Sequence, residues 1–233
     1  MSFKEIPFFD YKRIYSESSQ ELNDIFENIG RRGAFIMQSD LEEFEEKLGL
    51  ILKNRYVLGV GNATDGLEIL LQLKNLKKGD EIIVSSHTML ATAGSIISQG
   101  GSPIPVDISS DWLISPEAIE AAITKNTVGI MPTQLNGRCC DMDKILEIAK
   151  KYSLFVIEDS AQALGATFKS KAAGTFDCGG CFSFYPAKTL GCLGDGGAIV
   201  LKNTEDYENA RKIRDHGRCS HRGEFIWGRN SRL

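Results

Sequence analysis

The sequence predicts an α/β fold with a mostly parallel sheet and helices on both faces. Three observations carry this. Apolar, strand-like runs alternate with helix-like segments from Tyr56 to Leu201. Some of the runs, such as Leu154 to Ile157, are continuously apolar and β-branched, as buried strands are. Small-residue turns, such as Gly61-Asn-Ala-Thr-Asp-Gly66, lead straight from strand to helix.

Residues 1–30 read as an N-terminal segment, polar and irregular at first. A helix is predicted from Ser19 to Ile29, with Leu22, Ile25 and Phe26 on one face. The main domain is assigned to 31–215. It begins with a short extended stretch, Gly33 to Gln38, and a helix capped by Ser39-Asp40 with Leu41, Phe44 and Leu48 as its stripe. Tyr56 to Val60 is a strand feeding a helix that carries Leu67, Leu70 and Leu71. Gly79 to Thr92 reads as turn, buried strand and helix start. Ser102–Ile108 and Thr127–Thr133 are two more strands, and Ser115-Pro-Glu opens a helix between them. Asn136-Gly137 turns the chain. Asp141–Tyr152 is amphipathic, with Ile145, Ile148 and Ala149 inward. Thr204–Asp215 is a charged helix, and 216–233 is a tail rich in arginine and glycine.

The chemistry centres on Lys188. Cys181 to Tyr185 is an apolar run, Pro186 ends pairing because it has no N–H, and a glycine-rich turn leads to the run Gly197–Leu201. A lysine held between two strands loses water. That lowers its pKa and frees the amine to attack a carbonyl. The competing reading is a solvated turn lysine. Asp159 weighs against it, because it ends the strand Leu154–Ile157 on the side where open α/β sheets bind ligands. A carboxylate there is placed to hold a protonated pyridine nitrogen, the contact that makes pyridoxal phosphate an electron sink. The competing role for Asp159 is a helix cap. The turn before Leu67 presents free N–H groups and a positive dipole end, which suits phosphate.

Composition bounds the alternatives. The 233 residues are 42% hydrophobic and 25% charged, with net charge −4. That is ordinary globular composition with no basic run for nucleic acid. No apolar stretch reaches membrane-spanning length, and the first residues lack a signal-peptide core. The expected location is the cytoplasm. Six cysteines read as free thiols. Cys178-Gly-Gly-Cys181 with His216, Cys219 and His221 allows a zinc site, but there is no second CxxC, and no metal is expected.

Three stretches, Glu158-Asp-Ser-Ala-Gln-Ala-Leu-Gly-Ala166, Ser183-Phe-Tyr-Pro-Ala-Lys188 and Gly194-Asp-Gly-Gly197, stand in this order. The chain resembles the DegT/DnrJ/StrS family of fold-type-I, pyridoxal-phosphate-dependent sugar aminotransferases along nearly its whole length. Gly33, Phe35, Ile36, Phe44 and Glu45 match that family's opening segment. The resemblance implies that Lys188 carries the cofactor as an aldimine and Asp159 pairs with its ring nitrogen. It implies that Gln162 bonds the ring hydroxyl and Ser183 the phosphate, with Ala63, Thr64 and Asp65 in the phosphate turn. Met89 stands where many relatives place a stacking aromatic, so Met89 or His87 is expected to cover the ring. Gln134 stands where relatives commonly have histidine. Family members continue past a loop matched by Gly228-Arg-Asn-Ser-Arg232, so the tail is expected to lead into a smaller C-terminal domain absent from this sequence.

Two functions follow as expectations. One is transfer of an amino group, with glutamate as donor, to a nucleotide-linked keto-sugar by a homodimer in which Asn230 reaches the partner's cofactor phosphate. The other is a non-catalytic protein on the same scaffold, because fold does not fix function. A nucleotide-binding protein without pyridoxal phosphate is disfavoured by the lack of a GxGxxG or Walker turn in the right place.

Overall fold

A computed structural model describes residues 6–218 and 226–233. In chain order the elements are α1 (Tyr11–Arg32), α2 (Ser39–Leu52), β1 (Val57–Val60), α3 (Ala63–Gln72), β2 (Glu81–Ser85), α4 (Leu90–Ser98) and β3 (Ser102–Val106). Then come α5 (Pro116–Ala121), β4 (Thr127–Met131), α6 (Met142–Tyr152), β5 (Phe155–Val156), β6 (Glu158–Asp159), β7 (Thr167–Phe168) and β8 (Lys171–Ala172). β9 (Gly179–Ser183), β10 (Gly197–Leu201) and α7 (Thr204–Arg214) complete the series.

The main sheet consists of two halves sharing one chain segment. One half runs β1-β10-β9-β6 and the other β3-β2-β4-β5. β5 and β6 are separated only by Ile157, whose N–H reaches Ile130 O at 3.1 Å, and Asp159 N reaches Pro132 O at 3.0 Å. The halves therefore join through β5 and β6. Pairing is parallel except at β10, which is antiparallel to both β1 and β9. β3 lies at an edge, which tolerates Pro103 and Pro105 because an outward-facing proline costs the ladder no hydrogen bond.

Alternate residues of the strands enter different cores, as a two-residue period requires. Leu58, Val60, Ile82, Val84, Cys181, Ile199 and Leu201 pack with α3 and with Ala210 and Ile213 of α7. Ile83, Ile130 and Val156 pack with Ile119 of α5 and with Met142, Ile145 and Ile148 of α6. Val57, Phe182, Ala198 and Val200 pack with Leu48 and Leu52 of α2. Helices on both faces follow from this alternation.

The N-terminal region departs from expectation. α1 starts at Tyr11, not Ser19, because Asp10 caps it by accepting Arg13 N–H at 3.1 Å. It has no buried residue, and Ile25 and Phe26 are exposed. Its register comes from side-chain pairs four residues apart, such as Arg13 with Glu17 and Arg31 with Glu27. It also runs past residue 30 into the assigned main domain. α2 has no side-chain cap: Gln38 holds the cap position, and Ser39 is its first helical residue. Gly33–Gln38 is irregular instead of extended, with Met37 at φ 51°.

The tail also differs from a frayed end. Ser231 is buried, its backbone N–H reaches Arg214 O at 3.0 Å, and its Oγ and O both accept Gly61 N–H at 3.1 Å. Trp227 O accepts from Gln72, and Arg229 pairs with Glu68 of α3. Residues 226–233 thus lie against their own chain.

Candidate active site

The strand ends that carry Asp159, Thr133, His87 and Ser183 gather on one side of the sheet, because β6, β4, β2 and β9 are parallel there. Asp159 is buried with both carboxylate oxygens engaged. Oδ2 accepts Thr92 Oγ1–H at 2.6 Å and Oδ1 accepts Ala161 N–H at 3.1 Å. The segment after it is turns, not helix, so the helix-cap alternative gives way to a local turn closed by the carboxylate two residues back. Burial raises the Asp159 carboxyl, opposed by the Thr92 and Ala161 hydrogen bonds and the charge of Lys188.

Lys188 leaves β9 through a tight turn. Tyr185 N–H donates to Ser183 Oγ at 3.2 Å, and Lys188 N–H to Tyr185 O at 2.8 Å. A side chain at Gly191 would stand 2.5 Å from Pro186 O, so that glycine lets the loop fold back on itself. Lys188 is half-buried, and loss of water lowers its pKa more than the Asp159 charge raises it. The direction agrees with the one expected for a lysine held between two strands.

α3 is pressed onto the sheet where a side chain at Gly66 would stand 2.5 Å from Cys181 Sγ. Asn62 caps it, accepting Asp65 N–H at 2.9 Å and donating to the Asp65 carboxylate at 3.2 Å. Asp65 is therefore occupied in closing the turn. The N–H groups of Ala63 and Thr64 lie in the first helical turn, where no intrahelical acceptor exists. Cys181 Sγ donates to Ala63 O at 3.2 Å, tying this turn to β9, whose end carries Ser183. The Ser183 hydroxyl accepts one bond and keeps its hydrogen to give.

Met89 and His87 are both exposed beyond β2, with His87 Nδ1 3.4 Å from Trp112 O and its ring edge-on to Trp112. Gln162 Oε1 accepts Asn136 N–H at 3.2 Å, which orients the amide and leaves its nitrogen as the outward donor. Asn230 belongs to the tail. It bridges Asp215 through backbone and accepts Arg232 Nε–H at 2.9 Å.

Residue-by-residue reading missed two buried groups. Thr92, Thr88 and Thr133 link by their hydroxyls to Asp159. Gln134 donates to Glu158 at 2.6 Å, and Glu158 also accepts Gly174 N–H at 2.8 Å and Phe176 N–H at 2.7 Å. Burial pushes the Glu158 carboxyl up to about 7. The departure at Gln134 was visible in the sequence, but its partner was not. Among the described residues no group of histidine, cysteine, aspartate and glutamate could hold a metal, and no helix is long and apolar enough to cross a membrane. Cys219 and His221 lie outside the described residues.

The sheet order, the lysine turn and the buried aspartate facing it define an α/β domain of the aminotransferase class. The chain belongs to the DegT/DnrJ/EryC1/StrS aminotransferase family, whose model matches residues 16–233. It is 36% identical over 229 residues to a "Pleiotropic regulatory protein" of Geobacillus stearothermophilus, covering 98% of this chain and 62% of that protein. It is also 36% identical over 229 residues to the UDP-2-acetamido-2-deoxy-3-oxo-D-glucuronate aminotransferase of Pseudomonas aeruginosa, covering 98% and 64%. The crystal structure of ntda from Bacillus subtilis with bound cofactor PMP superposes with a TM-score of 0.90 at 32% identity, covering 100% of this chain and 54% of the other. The chain thus spans 54% to 64% of the length of these proteins.

Proposed function

We propose that this chain is the cofactor-binding domain of a pyridoxal-phosphate-dependent aminotransferase. Its substrate is a nucleotide-linked keto-sugar and its amino donor is glutamate, in the making of surface-polysaccharide or secondary-metabolite sugars. The observation that carries this reading is the buried Asp159 carboxylate facing a lysine that burial has made less basic. These residues fit the cofactor: a buried anion for the ring nitrogen, an amine for its aldehyde, and helix-start donors for its phosphate. When bound, pyridoxal phosphate supplies an electron sink for the substrate carbon.

The chain's own groups do the rest. Asp159 keeps the ring nitrogen protonated. Lys188 Nζ would hold the cofactor through its aldehyde and, once free, would take and return a proton as base and acid. Ala63, Thr64 and Ser183 donate to the phosphate, and Asp65 acts by holding Asn62 and the turn. Gln162 would donate to the ring hydroxyl, and Met89 or His87 would cover the ring. Adding glutamate to the purified, cofactor-loaded chain should replace its long-wavelength absorbance by that of the pyridoxamine form. A spectrum unmoved by any amino donor would favour the second reading, a regulatory protein on this scaffold, which the name of the Geobacillus relative supports.

The same reading includes a homodimer in which Asn230 serves the partner's cofactor phosphate. Met89, Leu90, Tyr185, Leu190 and Leu193, on the segments that carry the site, are exposed apolar side chains that a partner subunit would cover. The bonds from 226–232 to α3 and α7 hold Asn230 at a fixed place on the surface instead of in a loose end. Sedimentation velocity should give a discrete dimer, and Asn230→Ala should weaken cofactor binding without dissociating it. A monomer with full cofactor occupancy overturns this arrangement. A cytoplasmic location belongs to the same reading: Cys139, Cys140, Cys178, Cys181 and Cys192 are free thiols, the state a reducing compartment maintains.

A further inference from the structure

Asp159 receives more than one hydroxyl. Thr92 Oγ1 lies 2.6 Å from Asp159 Oδ2, Thr88 Oγ1 lies 2.7 Å from Thr92 Oγ1, and Thr133 Oγ1 lies 2.8 Å from Thr88 Oγ1. Thr92 is wholly buried and Thr133 nearly so. The three come from different elements: Thr92 from the first turn of α4, Thr88 from the loop before it, and Thr133 from just beyond β4. The same Thr133 forms a parallel bridge to Asp159, which fixes the two ends of the chain relative to each other.

Hydrogen counting gives this chain a direction. An ionised carboxylate only accepts, and a hydroxyl has one hydrogen to give. Thr92 therefore spends its hydrogen on Asp159. Thr88 must then donate to Thr92, and Thr133 to Thr88. Hydroxyls aligned this way polarise one another, and their positive ends all point towards the carboxylate. A protonated Asp159 could donate back to Thr92 and dissolve that order.

We propose that Thr133, Thr88 and Thr92 form a one-way chain of donors that holds Asp159 charged and correctly turned in its buried place, with Thr92 as the positioning residue. The inference rests on the cofactor reading given above only for why the charge matters. The chain of donors exists without the cofactor and is testable without it. The need is physical: removal from water opposes the charged form, and only hydrogen bonds and Lys188 act against that. The ionisable groups facing Asp159 are Lys188 from the lysine turn and Cys181 from β9, with Glu158 adjacent in the chain. Cys181 is a thiol that burial keeps neutral, so it does not replace the threonines.

The test compares Thr92→Val, Thr92→Ser and Thr133→Val with wild type. In the cofactor-free protein, the Asp159 carboxyl carbon is followed through a pH titration by NMR on aspartate-labelled chain. Thr92→Val should raise its midpoint by about one pH unit, the size expected for one hydrogen bond to a charged group. Thr92→Ser should restore it, and Thr133→Val should raise it by less. Pyridoxal phosphate binding, read by fluorescence below the wild-type midpoint, should weaken up to about tenfold in Thr92→Val, because there a one-unit shift cuts the charged fraction tenfold. It should change less than about twofold in Thr92→Ser.

If Thr92→Val does not fold, Thr133→Val carries the comparison, since its hydroxyl never touches the carboxylate. A Thr92→Ser variant as altered as Thr92→Val would mean the methyl group matters, and the proposal fails. Unmoved midpoints in all three variants also overturn it. A wild-type chain that shows the titration effects but binds no pyridoxal phosphate refutes the proposed function and leaves this inference standing.

Discussion

Lys188→Ala is expected to abolish transamination and leave the fold intact. Acid–base work by one positioned side chain is worth on the order of a hundred- to ten-thousand-fold, and Lys188 also provides the attachment, so the loss should reach at least about a thousandfold. The fold should survive because the charged amine is no net stabiliser. Its desolvation outweighs the attraction of Asp159. The sign follows from linkage. A lysine whose folded pKa lies below its unfolded value binds fewer protons in the native state, so native stability rises with pH between the lowered value and 10.5. Thermal unfolding of the cofactor-free chain should show that rise in wild type and a flatter profile in Lys188→Ala. Lys188→Arg should remain inactive, because a guanidinium does not give up its proton. Full activity in either variant would remove Lys188 from the mechanism.

Asp159→Ala should weaken cofactor binding or activity by two orders of magnitude or more. Breaking a desolvated pair by deleting one partner costs roughly 3–5 kcal/mol, because the other charge is left buried alone. Alanine also strands the Thr92 hydroxyl and the Ala161 N–H. Asp159→Asn separates the two losses. Its amide oxygen keeps one acceptor and the local turn, but carries no charge. If charge is what matters, Asp159→Asn should bind pyridoxal phosphate almost as poorly as Asp159→Ala while melting close to wild type. Equal affinity in wild type and Asp159→Asn would reduce Asp159 to a structural turn residue.

Much of this site was legible because its signals are local. Lys188 is bracketed by two apolar runs, and Asp159 stands two residues past the buried run Leu154–Ile157. The glycine turn, Asn62 and the first turn of α3 are consecutive. Each is a statement about neighbouring residues, and strand or helix periodicity reads such statements well. In the turn proposed for phosphate, the sequence left one partner unseen: Asp65 faces Asn62 and closes the turn. The N-terminus was read less well for a related reason. Periodicity finds buried faces, and α1 buries none. Its start is set by the Asp10 cap, and its length by pairs such as Gln20 with Asp24, which leave no apolar signature.

The sequence by itself determined the α/β class and the order of the main strands and helices, and it pointed to the lysine and aspartate of the proposed site. These depend on local patterns of burial and turning. Only the tertiary structure decided what surrounds them. Thr92 lies 67 residues from Asp159, Gln134 lies 24 from Glu158, and Ser231 lies 170 from Gly61. The first two pairs are set by the parallel pairing of β2, β4, β6 and β9, which brings distant strand ends together, and the third by the tail bonding to Arg214 of α7. A hydroxyl or amide carries no mark in the sequence of the buried group it will meet. Its partner is fixed only when folding removes water from both, and each must then find the other to avoid an unpaired polar group.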